Sequence, residues 1–246
     1  MKLAHPSFTL DPKASAVLAE LHGRSQRQLP SLILYFLWRS IPRWLLGQRT
    51  IAMDERAQSF LSDKLIALAQ DKCELCHLLC RALGATRIVE VGTSFGVSTI
   101  YLAAAARENT GSAARKPIVV GTEIDPRKVA AARQNLEQAG LGGYVDIRQG
   151  DARETLRDLD GPIDFVLLDS WIPLARPMIE MLAPRLRPGA VVICDNTVQF
   201  SEQYRDYLTF VRTPANGFHS TQMPYRGGIE LSVRSRGAEP WHPADA

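Results

Sequence analysis

The sequence predicts an α/β protein in which a doubly wound, mostly parallel β-sheet follows an N-terminal helical segment. From about residue 87 onward, short runs rich in β-branched residues alternate with longer amphipathic stretches. This alternation is typical of parallel βαβ units with right-handed crossovers. Past residue 211, two short runs flank a turn at residues 224–227, which predicts an antiparallel hairpin at one sheet edge. The residues before position 71 look helical but belong to no βαβ repeat.

The individual elements follow from periodicity and turn residues. Runs of valine and isoleucine predict five strands, at residues 87–91, 117–123, 144–148, 163–168 and 190–194. Amphipathic stretches predict helices at residues 71–83, 97–107, 126–139, 152–159, 174–186 and about 202–211. Pro126 suits the first turn of its helix, because a first-turn residue needs no backbone N–H. The two strands of the hairpin are expected at residues 218–223 and 228–234.

A chain of 246 residues suits one domain with an extension. We expect a helical cap or lid at residues 1–70, the α/β domain at 71–235 and a flexible tail at 236–246. Residues 21–53 contain five arginines and no acid, together with Trp38 and Trp44. This stretch is interpreted as a lid over the ligand or as a dimer surface. An amphipathic helix on an anionic membrane is the less favoured alternative.

Composition limits the class of protein. With 46% hydrophobic and 22% charged residues the chain is globular, and a net charge of +3 argues against a nucleic-acid binder. The longest apolar run, residues 32–38, is too short to span a membrane. No signal peptide is recognised, so a cytoplasmic location with reduced thiols is expected. The Cys73–His77 pattern resembles a haem-attachment motif, but it lies on a predicted helix and is interpreted as core packing.

The strongest chemical signal is the glycine-containing turn after the first strand. It reads Glu-Val-Gly-Thr-Ser-Phe-Gly-Val-Ser-Thr over residues 90–99. A strand, a glycine turn and a helix N-terminus present backbone N–H groups to a ligand, and glycine lets the ligand approach closely. The spacing is G-x-x-x-G, whereas dinucleotide-binding folds have G-x-G-x-x-G. This difference argues against a dehydrogenase.

Two more acids are expected near that turn. Glu123 ends the second strand, where an acid in nucleotide-binding folds bonds the ribose hydroxyls, and the apolar Ile124 follows it. Asp151 lies just past the third strand, where it could accept from an adenine amino group. All three motifs lie at carboxyl ends of parallel strands, where open α/β sheets bind their ligands.

These motifs resemble those of class I S-adenosylmethionine-dependent methyltransferases, which have a Rossmann-like fold. The segments at residues 90–99, 122–126 and 150–152 resemble the three cofactor motifs. Further segments at residues 168–171, 194–196 and 227–230 resemble the catechol O-methyltransferase branch and its bacterial relatives. The resemblance covers roughly residues 69–234. It implies a seven-stranded sheet with one antiparallel edge strand, in agreement with the hairpin expected above.

The resemblance also implies site residues. Asp169 and Glu230 would be catalytic, with Glu230 contacting a substrate hydroxyl. A metal ion, Mg²⁺, would be held by Asp169, Asp195 and Asn196, an oxygen-only set that suits this ion. The cofactor-binding residues implied are Glu90, Gly92, Thr93, Ser94, Gly96, Ser98, Glu123, Ile124, Asp151, Ala152, Asp169 and Trp171.

One departure from the family leaves the metal and the base open. Where the family's general-base lysine is expected, this chain has Ile172, and Ser170 replaces the histidine of the animal catechol enzymes. Isoleucine cannot accept a proton. Metal coordination could ionise the acceptor, or His219 or Glu230 could serve as the base. Acids at these positions also occur in metal-free methyltransferases.

The leading hypothesis is therefore methyl transfer from S-adenosylmethionine to an oxygen of a small, aromatic or hydroxylated acceptor. The alternatives are a metal-independent N- or C-methyltransferase and a catalytically silent cofactor-binding protein. No nucleic-acid partner is expected, and the exposed aromatic residues of the N-terminal segment favour a homodimer.

Overall fold

A computed structural model describes residues 8–45, 56, 60–61, 63–112 and 116–237, with the side chains of residues 40–45 and 112 excepted. Expectations for Arg43, Trp44 and Arg49 therefore fall on side chains outside the described residues, as do those for the tail beyond residue 237.

The core of the fold is a seven-stranded sheet with the order β3-β2-β1-β4-β5-β7-β6. The strands from β3 to β5 run parallel, and β7 runs antiparallel between β5 and β6. The predicted sheet and its antiparallel edge pair are thereby confirmed. The strands are β1 (Arg87–Val91), β2 (Ile118–Glu123), β3 (Val145–Gln149), β4 (Ile163–Leu168), β5 (Leu186–Asp195), β6 (Phe218–Met223) and β7 (Ile229–Arg234).

Helices cover both faces of the sheet. One face packs against α1 to α4 and the other against α5 to α7, which gives two buried apolar layers. Both faces of the central strands are therefore dry, and all six residues of β4 are buried. The helices are α1 (Pro12–Leu45), α2 (Gln70–Ala82), α3 (Val97–Asn109), α4 (Pro126–Gln138), α5 (Ala152–Thr155), α6 (Ala175–Leu182) and α7 (Arg205–Arg212).

Several elements differ in length from their sequence prediction, among them α5, β5 and α6, which ends at Leu182 rather than residue 186. Helix α5 ends at Thr155 rather than near residue 159, because the Arg148 guanidinium donates to the carbonyls of Thr155 and Asp158 that a longer helix would use. Strand β5 begins at Leu186 rather than residue 190, because Leu186 pairs with Ile163 before a register shift in β4.

The N-terminal helix α1 has two contrasting halves. Its first half contributes Ala14, Leu18 and Leu21 to the core around α3. Its second half exposes large apolar side chains, with Trp38 73% exposed. Even so, no helix among the described residues combines the length and apolar character needed to cross a bilayer. The exposed residues are Leu29, Ile33, Leu34, Leu37 and Trp38.

The cysteines pack as the sequence suggested. Cys73, Cys76 and Cys80 lie buried on α2 against α3, and none is bridged. Their place in the apolar layer agrees with the interpretation as core residues rather than a haem motif.

A buried acid joins three strands at the edge of the sheet opposite the glycine turn. Asp164 Oδ2 accepts from the Thr86 and Arg87 backbone N–H groups at 2.7 and 2.8 Å, while Oδ1 accepts from Arg187. Burial raises the pKa of Asp164, but Arg187 and these N–H donors outweigh it, so the pKa is lowered. The ionised carboxylate therefore stabilises the folded state.

We predict that Asp164→Asn lowers the free energy of unfolding by about 2–3 kcal/mol at pH 7, the scale of hydrogen bonds to a charged group. The folded pKa lies below the unfolded value of about 3.9, so this stabilisation is present at neutral pH. It is lost as the pH falls below about 4 toward the folded pKa. Urea unfolding at pH 7 and at lower pH measures both effects. Asp160→Asn, at an exposed acid, is the control, and an equal loss in both variants would contradict the assignment.

Candidate active site at the carboxyl edge of the sheet

The glycine turn between β1 and α3 approaches the loop after β4 very closely. Gly92 has φ 98°, and a Cβ there would lie 2.1 Å from the carbonyl oxygen of Asp169. Gly96 caps α3 with φ 85°. Glycine is needed at both places, since a side chain would meet either a steric block or a left-handed backbone. The turn is thus held between β2 and the loop after β4.

The buried side chain of Glu90 on β1 holds the glycine turn by hydrogen bonds. Its side chain is fully buried and accepts hydrogen bonds from three hydroxyls, Thr93 Oγ1 at 3.0 Å, Ser98 Oγ at 2.6 Å and Thr99 Oγ1 at 2.6 Å. Burial raises the pKa of Glu90, and the three hydroxyl donors oppose the rise. Sequence reasoning selected Glu90, Thr93 and Ser98 but missed Thr99, although its hydroxyl lies one residue past Ser98.

Glu123 crosses from β2 to the glycine turn. One carboxylate oxygen accepts from the backbone N–H of Ser94, and the other accepts from the N–H of Asp125, both at 2.9 Å. Ser94 reaches this position with φ 49°. Ile124 beside it is 67% exposed and offers an apolar surface. The structure therefore brings together the first two predicted motifs.

The third predicted motif lies farther along the same edge. Asp151 caps α5 by accepting from the Arg153 N–H at 2.9 Å, and it also pairs with the Arg153 guanidinium. The guanidinium and this N–H lower the pKa of Asp151 to about 2. Ala152 is buried in the first turn of α5, and Trp171, half-buried, precedes a short 3₁₀ turn.

Asp169 directly follows β4 and Asp195 ends β5, so the two acids lie on neighbouring strands at the carboxyl edge. A lysine of α2 bonds the second of them. Lys72, from the first turn of α2, is 3% exposed and donates from Nζ to Asp195 Oδ1. Burial, followed by the charges of Asp195 and Glu90, raises the pKa of Asp169 to about 8. Burial also raises the pKa of Asp195, and Lys72 opposes that rise. Sequence reasoning did not select Lys72.

The implied metal set does not fit a divalent cation in this structure. The Lys72 ammonium already bonds the Asp195 carboxylate. The Asn196 amide oxygen lies against Gly227, so close that a Cβ added to this glycine would be 2.6 Å from the oxygen. We therefore derive no reaction step through Mg²⁺.

The structure corrects two further expectations. Glu230 is fully buried, and its carboxylate is bound by the Arg212 guanidinium at 2.7 and 2.8 Å and by Ser220 Oγ at 2.6 Å. It points to the α7 side of the sheet, where its burial and its pairing with Arg212 keep it from contacting a substrate. His219 pairs with Val233 at the opposite end of β6, far from the carboxyl edge, and cannot act as a base there. Both errors arise because the sequence does not show which way the hairpin faces.

A segment outside the predicted motifs covers the glycine turn. Residues 65–68, named the strap here, line a narrow cleft together with Gly92–Phe95, Val97, Ser98 and Asp169. Helix α1 holds the strap, because Gln28 Oε1 accepts from the Leu65 N–H at 3.0 Å. Sequence reasoning predicted a lid over an acceptor, whereas the strap lies on the turn itself.

Comparison with known proteins identifies the class. Residues 89–197 match the model of a family described as a methyltransferase domain. The predicted resemblance to methyltransferases is confirmed over this part of the chain. Catechol O-methyltransferases of Niastella koreensis and Mycobacterium tuberculosis are 30% and 35% identical to it over 138 and 135 residues. Each alignment covers 54% of this chain. The chain thus spans less than two thirds of those relatives' own length, 59% of the first and 58% of the second.

A solved structure shows the same fold. The O-methyltransferase of Bacillus cereus, in complex with SAH (S-adenosylhomocysteine), is similar with a TM-score of 0.62 at 24% identity. The similarity covers 73% of this chain and 88% of that one. The predicted Rossmann-like fold is thereby confirmed.

We predict that Glu90→Val lowers the free energy of unfolding by about 2–4 kcal/mol, because three hydroxyls lose their acceptor in a buried place. Urea unfolding followed by circular dichroism measures the loss. Glu154→Val removes an exposed acid on α5 and should cost far less. Similar losses at both positions would show that Glu90 does not hold the turn.

Proposed function

We propose that this protein transfers a methyl group from S-adenosylmethionine to an oxygen of a small-molecule acceptor. The observation that carries the proposal is the hydrogen bond between Glu123 and the Ser94 N–H. It joins the glycine turn to the acid of β2 at the carboxyl edge, where open α/β sheets bind nucleotide ligands. The catechol O-methyltransferase relatives and the SAH complex of the Bacillus cereus protein support the choice of reaction and cofactor.

The residues of the edge suit the parts of this cofactor. The methionine portion would lie in the cleft under the strap. Ser94, Ser98 and Asp169 line this cleft and would therefore face it. Asp169 is the acid placed to face the positive charge of the sulfonium and amino groups. Glu123 retains unused lone pairs on both oxygens and would accept from the ribose hydroxyls.

The adenine would lie farther along the edge. Ile124 offers it an exposed apolar surface, and Trp171 would border its other face. The Asp151 carboxylate and the backbone of Ala152 would contact the polar edge of the ring. Asp151 is held in place for this by Arg153, which occupies both of its carboxylate oxygens.

The reaction is a direct displacement. The acceptor hydroxyl releases its proton to solvent, and its oxygen attacks the methyl carbon. The carbon–sulfur bond breaks, and its electron pair remains on the sulfur of S-adenosylhomocysteine. The protein therefore has to align two partners and exclude water. The strap meets the second need, because its side chains Leu65, Ile66 and Leu68 cover the glycine turn. Ile172 keeps the next loop apolar and contributes no proton acceptor.

We predict that Glu123→Ala weakens S-adenosylhomocysteine binding by about 1–3 kcal/mol, or roughly 5- to 150-fold, because the ribose loses its charged acceptor. Isothermal titration calorimetry measures the dissociation constants. Glu154→Ala, at an exposed acid on the same side of the domain, should bind like the parent protein. An unchanged affinity in Glu123→Ala would remove the ribose assignment.

We also predict that Gln28→Ala speeds S-adenosylhomocysteine release by roughly 3- to 10-fold, because the strap loses one hydrogen bond worth about 1 kcal/mol. Stopped-flow displacement measures the rate. Gln26→Ala, at an exposed position of the same helix, is the control. Equal release rates in the two variants would show that the strap does not retain the cofactor.

The proposed reaction is tested with a panel of catechols, monophenols, amines and activated carbon acids and radiolabelled S-adenosylmethionine. Oxygen methylation is the expected result. Transfer to nitrogen or carbon would replace the acceptor class, and cofactor binding without turnover on any acceptor would indicate a silent cofactor-binding protein. Absence of cofactor binding would reject the proposal.

A further inference from the structure

We infer that Lys72 takes the place of a divalent cation at the Asp169–Asp195 pair, so that this chain works with a resident ammonium instead of a metal ion. The part of the inference that concerns metal binding stands on the structure alone. The part that concerns turnover rests on the proposed function.

The first argument is the position of the ammonium. Lys72 Nζ bonds Asp195 Oδ1, and the side chains of both residues are less than a tenth exposed. The two residues lie 123 positions apart, on α2 and at the end of β5. A buried ammonium is stable only when a partner compensates its lost hydration. The pair is therefore a built feature of the domain interior, and not a surface contact that a metal ion displaces at little cost.

The second argument is the way in which Lys72 is held. It lies in the first turn of α2, where its backbone N–H donates to the Asp71 carboxylate at 2.9 Å. The next residue along the helix, Cys73, is fully buried, and Cys76 packs one turn later. These contacts anchor the helix on both sides of the lysine. The Lys72 side chain is itself 4% exposed, so the ammonium lies inside the domain beside Asp195.

The third argument is charge. Asp169 and Asp195 are like charges in a poorly hydrated place, and the lysine is the cation that faces them. The Lys72 ammonium bonds Asp195 inside the domain and so already supplies a positive charge at this pair. A divalent ion added beside the ammonium would meet a like charge in a low-dielectric surrounding, where repulsion is poorly screened. Metal and lysine are therefore mutually exclusive at this pair.

The fourth argument is the incomplete ligand set. The side-chain amide oxygen of Asn196 lies against Gly227, and Asn196 itself is held with φ 58°. Mg²⁺ requires near-ideal octahedral geometry and tolerates misplaced ligands poorly. With Asp195 paired to Lys72 and Asn196 turned to Gly227, Asp169 is the one member of the implied set left for a metal ion. Lys72 is thus a positioning residue, which holds Asp195 and neutralises the pair.

The consequence concerns the acceptor. Without a divalent cation, the acceptor does not need two adjacent oxygens to chelate a metal. A single hydroxyl held in the apolar surroundings of the strap and Ile172 would suffice. We expect monophenols to be methylated about as well as catechols, and turnover to continue in EDTA.

Mn²⁺ binding to the purified full chain tests the inference without any assay of activity. We would use electron paramagnetic resonance after EDTA treatment, with the parent protein, Lys72→Met, Lys72→Arg and the double variant Lys72→Met with Asp195→Asn. The parent protein and Lys72→Arg should bind no Mn²⁺ at 1:1 stoichiometry, because a cation fills the pair. Lys72→Met should gain a site at least about 10-fold tighter than the parent's, about 1.4 kcal/mol. The double variant should lose it.

Controls separate this effect from unfolding and from nonspecific metal binding. Lys13→Met, at an exposed lysine of α1, should bind Mn²⁺ as the parent protein does. Circular dichroism establishes that each variant is folded. If Lys72→Met does not fold, Lys72→Gln gives the same comparison with a side chain that can still donate to Asp195.

Two results would overturn the inference. One is a parent protein that binds Mn²⁺ through Asp195 with an affinity that Lys72→Met leaves unchanged. The other is turnover that EDTA abolishes and Mg²⁺ restores. S-adenosylhomocysteine titration of the same samples keeps the two proposals apart. Loss of cofactor binding in the parent protein would reject the proposed function, and the Mn²⁺ comparison would still decide the role of Lys72.

Discussion

The buried carboxylate of Glu90 is the interaction on which the site depends. An acid at the end of a fully covered strand must be satisfied internally, because unpaired burial of a charge is costly. Three hydroxyls on the turn and on the first turn of α3 provide this, and in doing so they fix the path of the turn. The backbone N–H of Ser94 then reaches Glu123, and this bond joins the turn to the end of β2.

Electrostatics organise the opposite side of the site. Two carboxylates follow neighbouring parallel strands and so meet at one edge of the sheet. Their repulsion and burial would favour protonation, and the lysine from α2 supplies a fixed positive charge beside them. The relatives are named for methyl transfer to catechols. In this chain Lys72 bonds Asp195, and Ile172 stands where the resemblance predicted a lysine.

The N-terminal extension is part of the site rather than an appendage. The first half of α1 enters the core through Ala14, Leu18 and Leu21, so the helix is anchored on the domain. From there Gln28 holds the strap across the glycine turn. The same helix continues into an exposed apolar half that carries Trp38. Because the first half of α1 is anchored in the core, Gln28 in the middle of the helix holds the strap in a fixed position.

The sequence by itself determined the order of strands and helices, the glycine turn and the acids after β2, β3, β4 and β5. These follow from local periodicity and from the rule that parallel strands end at one edge. It did not determine how far α5 extends, because Arg148 caps it from a neighbouring strand.

Only the tertiary structure decided which side chains of the hairpin and of α2 reach the site. The sequence made Glu230 and His219 candidates, but strand alternation turns the first to α7 and register places the second at the opposite edge. Lys72 carried no local signal, since its partner lies 123 residues away. Contacts of this kind depend on how helices pack on the sheet, and periodicity along the chain does not encode that packing.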